Sequence, residues 1–103
     1  LNAIRESGGV AVNVSDGEIL AAMGLLGRTQ GVFGEPAGVT GTAGVKKALE
    51  LGLIGRESSV VSIVTGNGLK DVANGIRAAG EPMVVKPDLS ALLAAFEEHD
   101  IHP

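Results

Sequence analysis

The sequence predicts an α/β fold, with a largely parallel sheet flanked by helices, formed as one segment over residues 1–103. Three observations predict it. Short β-branched apolar runs alternate along the chain with longer runs of helical period. The strongest short run, 60–65, carries Val60, Val61, Ile63 and Val64 almost without a break, as a strand buried on both faces does. The helical runs are bounded by residues that start and stop helices for local reasons.

The first strand is expected at 10–14, after the loop pair Gly8-Gly9. Ser15 stops it and caps a helix, because Glu18 three residues on completes a capping box and Asp16 places negative charge at the positive end of the helix dipole. That helix runs to about Gln30, with Gly31 suited to the left-handed position beyond its end. Ile19, Leu20, Met23, Leu25 and Leu26 cover more than one narrow stripe, so it is expected to pack on two sides.

Pro36 opens a second helix over 36–51. Its first half has almost no bulk, and Gly38, Gly41 and Gly44 cost on the order of 1 kcal/mol each relative to Ala. Spaced three apart, they form a strip against which another backbone or a flat ligand can come close. The strand at 60–65 ends in Thr65-Gly66-Asn67-Gly68, followed by a third helix over 71–79 that closes at Gly80. A short edge strand is expected at 82–85. Asp88 caps a last helix through Leu89, Leu92, Leu93 and Phe96, and 97–103 reads as a polar, frayed tail.

Composition narrows the function. The 103 residues are 45% apolar and 19% charged, which suits one domain or part of one and excludes disorder. Phe33 and Phe96 are the only aromatic residues, and a net charge of -4 with scattered Lys and Arg offers no patch for nucleic acid. No Cys is present, which removes disulfides, thiolate metal sites and Cys nucleophiles and fits a reducing, cytoplasmic setting. No run of about 18 apolar residues exists and the first residues lack the basic and apolar regions of a signal peptide, so a soluble protein with no membrane partner is expected. The chain begins at Leu1 without an initiator Met, which suggests a processed chain or a piece of a longer one.

Thr65-Gly66-Asn67-Gly68-Leu69-Lys70-Asp71 is the densest polar cluster attached to a buried run. It is an ordinary strand-to-helix turn by spacing alone, with Asp71 as a helix cap, and it matches neither the Walker loop nor G-x-G-x-x-G. Its position is nonetheless where open α/β sheets bind ligands, at the carboxyl ends of the strands. Glu35, at the start of the bulk-free helix, is a second candidate, and a helix-start carboxylate stabilised by the dipole is its simpler reading. His99 and His102, three apart near the chain end, supply too few ligands for a metal site. No Ser-His-Asp arrangement can be drawn, so no catalytic residue is assigned.

Taken in order, Ala3-Ile4-Arg5-Glu6-Ser7-Gly8-Gly9, Val14-Ser15-Asp16, Glu35-Pro36-Ala37-Gly38 and Thr65-Gly66-Asn67-Gly68-Leu69-Lys70-Asp71 resemble the C-terminal part of the threonine synthase family. The resemblance runs from about Asn2 to Phe96. Glu-Pro-Ala-Gly is shared with related enzymes such as threonine dehydratases, whereas the Thr65 to Asp71 motif is narrower. The resemblance implies the large domain of a tryptophan-synthase-β-like, fold type II pyridoxal-phosphate enzyme, a lyase that converts O-phospho-L-homoserine and water to L-threonine and phosphate. It implies that Thr65 places its hydroxyl at the pyridine nitrogen of pyridoxal 5′-phosphate, with Glu35 in the neighbourhood of the cofactor pocket and the glycine strip packed under it.

The Schiff-base Lys of that family and its phosphate-binding loop lie upstream of the aligned region. Lys70 matches the family's Gly-Leu-Lys-Asp turn instead. The chain is therefore expected to be a C-terminal fragment that is inactive alone, does not retain the cofactor, and self-associates or dimerises through uncovered apolar faces. A related pyridoxal-phosphate lyase, such as a cysteate synthase or dehydratase, and a stand-alone α/β module that uses the Gly66 to Gly68 turn to bind anions remain alternatives.

Overall fold

A computed structural model describes residues 1–101. Helix α1, Asn2–Glu6, is a short turn not anticipated from the sequence; it buries no residue and ends at Ser7, with Gly8 at φ 67°. Helix α2, Asp16–Gln30, starts on the expected capping box. The Glu18 amide donates to Ser15 Oγ at 3.3 Å, and the Ser15 amide donates to Glu18 Oε2 at 2.7 Å. Gly31 ends the helix at φ 66°, ψ 19°, a conformation that costs glycine nothing sterically.

Helix α3, Pro36–Glu50, begins with proline in its first turn and ends at Leu51. A 3-10 turn, Gly68–Asp71, leads into α4, Val72–Ala79. The Leu69 amide donates to Asn67 Oδ1 at 2.9 Å, and the Asn74 amide donates to Asp71 Oδ1 at 3.2 Å. Helix α5, Leu89–Glu98, is capped by Asp88, whose Oδ1 accepts from the Ala91 amide at 2.9 Å. The chain then turns back on itself, the Ile101 amide donating to Phe96 O at 2.9 Å. Position 102, the second histidine considered as a metal ligand, lies outside the described residues.

Helix α2 packs against both α3 and α4, the two-sided burial its apolar pattern predicts. Ala22, Met23, Val39 and Ala43 form the core, with Val14, Ile19, Leu20, Leu26, Val64 and Ala78 around them. Lys47, from the last turn of α3, donates to Glu18 and ties it to the start of α2.

The parallel sheet expected from the sequence is not shown by the described residues alone. Among the described residues no strand forms, and the one β-bridge is an antiparallel pair between Gly34 and Asn67. The runs expected as strands, 10–14, 60–65 and 82–85, carry the residues of strands without a ladder. The reason is positional. Gly44 faces the side chain of Val12, Gly41 faces Ser62, and Gly38 faces the backbone of Thr65 and Gly66, so both 10–14 and 60–65 lie along α3. A groove of about 400 Å³ floored by α3 has Val10, Val12 and Val14 along one part and Val60 along another, and no backbone hydrogen bond joins the two runs. Apolar residues at these runs stay open as a result, Val61 at 91% and Val84 at 94% of full exposure.

The dimensions agree. The radius of gyration is 18.1 Å, against about 13 Å for a compact chain of this length. The accessible surface is 7821 Å², against roughly 5,400 Å² for a folded monomer of this mass.

The ion pair between α2 and α3 makes stability depend on pH. The Lys47 ammonium and the Ser15 hydrogen bonds lower the Glu18 pKa from 4.5 to about 2. A carboxylate depressed on folding contributes stability above its unfolded pKa and loses it as pH falls through the folded one. Helicity measured by circular dichroism is therefore expected to hold from pH 7 to about 4.5 and to decline below that. In Lys47→Met the part of this decline that comes from Glu18 should shrink; an acid limb identical to that of the unaltered protein would contradict the assignment.

Candidate functional site

The turn after 60–65 is clasped to the segment that precedes α3. The Glu35 amide donates to Gly66 O at 2.9 Å, the Gly68 amide donates to Phe33 O at 2.9 Å, and Gly34 pairs with Asn67 between them. Backbones this close require residues without side chains. A Cβ at Gly34 would stand 2.6 Å from both Val39 Cγ2 and Val64 Cγ1. A Cβ at Gly66 would overlap the Glu35 carboxylate, and one at Gly68 would overlap the Phe33 ring. On the other side, a Cβ at Gly38 would lie 3.0 Å from the Thr65 nitrogen and 3.1 Å from that of Gly66. Gly38 thus allows the close backbone approach that the glycine spacing predicts, whereas Gly41 and Gly44 meet the side chains of Ser62 and Val12.

Glu35 is the one buried charged residue among those described, at 7% exposure. It occupies the N-cap position of α3 but makes no side-chain cap to that helix. Its carboxylate instead lies over Gly66 and accepts from Lys70 Nζ at 3.1 Å. The two partners differ in environment, the Lys70 side chain being 72% exposed and that of Glu35 10%. The dipole reading of Glu35 therefore describes where its backbone sits and misses where its side chain points.

Thr65 lies at the exposed end of the 60–65 run, and its hydroxyl makes no hydrogen bond among the described residues. The amides of Gly68, Leu69 and Lys70 donate to Phe33 O, Asn67 Oδ1 and Asn67 O, which engages one of the three amides of the Gly66 to Gly68 turn. The Asp71 carboxylate accepts from the side chain and then the backbone of Asn74, which holds its pKa below the usual carboxylate value. Asp71 is thereby a helix cap, as its spacing suggests.

The structure brings both predicted site residues to one turn, Glu35 beneath it and Thr65 at its start. Phe33 and Lys70 complete the clasp, and spacing along the chain does not assign them to it. Phe33 carried a usable signal, as one of only two aromatic residues and two positions before Glu35-Pro36. Lys70 carried none, since its partner is 35 positions away. No group of three or more metal-ligating side chains occurs among the described residues.

Comparison with known proteins adds to this geometry. The profile of a family described as pyridoxal-phosphate dependent enzymes matches residues 1–66. The chain is 46% identical to the threonine synthase of Methanocaldococcus jannaschii over 98 residues, which is 95% of this chain and 24% of that protein. It is 46% identical over 96 residues to the threonine synthase of Methanosarcina acetivorans, covering 93% of this chain and 24% of that one. Against the threonine synthase of Mycobacterium tuberculosis it is 49% identical over 71 residues, 69% of this chain and 20% of the relative. The chain thus spans about a quarter of the length of these curated relatives.

Proposed function

The chain belongs to the pyridoxal-phosphate dependent enzyme family, and from that premise we propose that it acts as the C-terminal part of a threonine synthase, in the conversion of O-phospho-L-homoserine and water to L-threonine and phosphate. The observation that carries the reading is the 46% identity to two archaeal threonine synthases across more than nine-tenths of this chain. The Thr65 to Asp71 turn supports it.

The residues present fit the edge of a pyridoxal-phosphate site. Thr65 has a hydroxyl with no hydrogen-bond partner among the described residues, at the exposed end of an apolar run; Gly38 backs its nitrogen and Glu35 lies against the next residue, Gly66. Such a hydroxyl suits the pyridine nitrogen of the cofactor, to which it would donate one hydrogen bond. A threonine hydroxyl is too weak an acid to hold a proton on that nitrogen as a carboxylate partner would, so its role is to orient the ring and moderate its electron demand. The cofactor itself supplies an electron sink for chemistry at the substrate's α and β carbons.

Lys70 is not the lysine that carries the cofactor in this reading, because it matches the Gly-Leu-Lys-Asp turn of the family; its ammonium is directed to Glu35. That lysine and the phosphate loop belong to a cofactor-bearing portion outside this chain. The same portion would complete the fold type II sheet, adding parallel strands beside 10–14 and 60–65. The open groove on α3 and the roughly 2,400 Å² of surplus surface support this. Alone, the chain is expected to be inactive and to associate with itself through these apolar faces, in a cytoplasmic setting, with a homodimer as the natural assembly of the whole enzyme.

A chimera tests the function. The matching quarter of the Methanocaldococcus jannaschii threonine synthase is replaced by this chain, and phosphate release from O-phospho-L-homoserine is measured. Activity within about tenfold of the parent enzyme is expected. A chimera that folds and binds pyridoxal phosphate but releases none would overturn the reading.

A further inference from the structure

The contacts that surround Thr65 converge on one carboxylate. Glu35 grips Gly66 twice, its amide donating to Gly66 O at 2.9 Å and its side chain lying where a Cβ of that residue would be. Gly38, three residues further along, backs the Thr65 nitrogen. The turn then runs through Asn67 and Gly68 to Lys70, whose ammonium returns to Glu35 Oε1 at 3.1 Å. The segment 65–70 therefore wraps around the Glu35 side chain and is closed by its own last residue.

A buried carboxylate with no hydrogen bond to its own helix and a single charged donor has its position set by that donor. Because Glu35 lies against Gly66, a shift of its side chain displaces the residue that follows Thr65. We infer that Glu35 is a positioning residue for Thr65 and that Lys70 is its latch, neither of them touching the cofactor. This rests on the reading that Thr65 meets the cofactor ring, and it gives Glu35 a role distinct from direct cofactor contact.

Amide hydrogen exchange on the protein tests the latch without cofactor. In Lys70→Met the Glu35 carboxylate stays buried without its cation, and the Glu35 and Gly68 amides, which bond across the clasp, are expected to exchange about fivefold faster. The Ala22 and Met23 amides of α2 should not change. Lys70→Arg should restore slow exchange. Adding Glu35→Gln to Lys70→Met should also bring the clasp amides to within about twofold of the unaltered protein, because no buried charge then lacks a partner, a non-additivity that marks direct coupling of the two side chains. Unchanged clasp exchange in Lys70→Met, or equal acceleration in α2, would overturn the inference. A positive exchange result together with a Thr65→Val chimera of undiminished activity would leave the latch standing and reject the cofactor role of Thr65.

Discussion

Gly34→Ala is expected to destabilise the protein by about 1–3 kcal/mol, while Gly27→Ala stabilises it by roughly 0.5–1 kcal/mol. The substitution is chemically the same and the surroundings reverse its sign. At Gly34 the new methyl would stand 2.6 Å from Val39 Cγ2 and from Val64 Cγ1, closer than carbon atoms pack. Val39 is wholly buried in the core, so it cannot swing into solvent to make room. Backbone movement is restricted too, because Gly34 is paired with Asn67 and flanked by the hydrogen bonds of Phe33 and Glu35 to the turn. Gly27, in α2, has nothing within 4 Å of its ideal Cβ, and alanine there reduces the backbone freedom lost on helix formation. At roughly 4–8 °C per kcal/mol for a domain of this size, the two variants should melt about 6–32 °C apart, on opposite sides of the unaltered protein. A Gly34→Ala variant that melts with the parent would show that the clasp is not a close backbone contact.

Thr65→Val in the chimera is expected to lower kcat about tenfold to a hundredfold, with a melting temperature within about 1 °C of the unaltered chimera. The two effects separate because the Thr65 side chain is exposed and its hydroxyl makes no hydrogen bond among the described residues. Valine keeps the shape and the preference for extended backbone while removing the donor. A factor of ten to a hundred corresponds to roughly 1.4–2.7 kcal/mol of lost transition-state stabilisation, the size of one oriented hydrogen bond to a reacting system. Thr65→Ser retains the hydroxyl and should recover most of the rate. Turnover of Thr65→Val within twofold of the parent would reject the assignment.

Both predictions depend on contacts with different visibility in the sequence. The helix starts were legible because each is decided within one turn: Ser15 with Glu18, Pro36 at the first position of α3, Asp71 with Asn74, and Asp88 with Ala91. The stops at Gly31 and Gly80 were legible because both positions have positive φ, 66° and 87°, which glycine adopts without strain. The five residues of α1 escaped notice because that helix buries nothing and leaves no apolar periodicity to read. The strand runs were recognisable as apolar segments, yet a ladder requires a neighbour at about 4.8 Å. What 10–14 and 60–65 share here is the surface of α3 and a groove beside it.

The caps, the helix limits and the placing of bulk-free residues at 34, 38, 66 and 68 are readable along the chain, because these follow from local hydrogen bonding and from glycine's lack of a side chain. Tertiary structure alone decided what the glycines are for and where the Glu35 carboxylate goes. A residue's pattern can say that something comes close; only the folded chain says what. Lys70 and Gly66 reach Glu35 across more than thirty positions, a distance over which sequence spacing carries no directional information, and it is their convergence that makes an ordinary turn a held platform for Thr65.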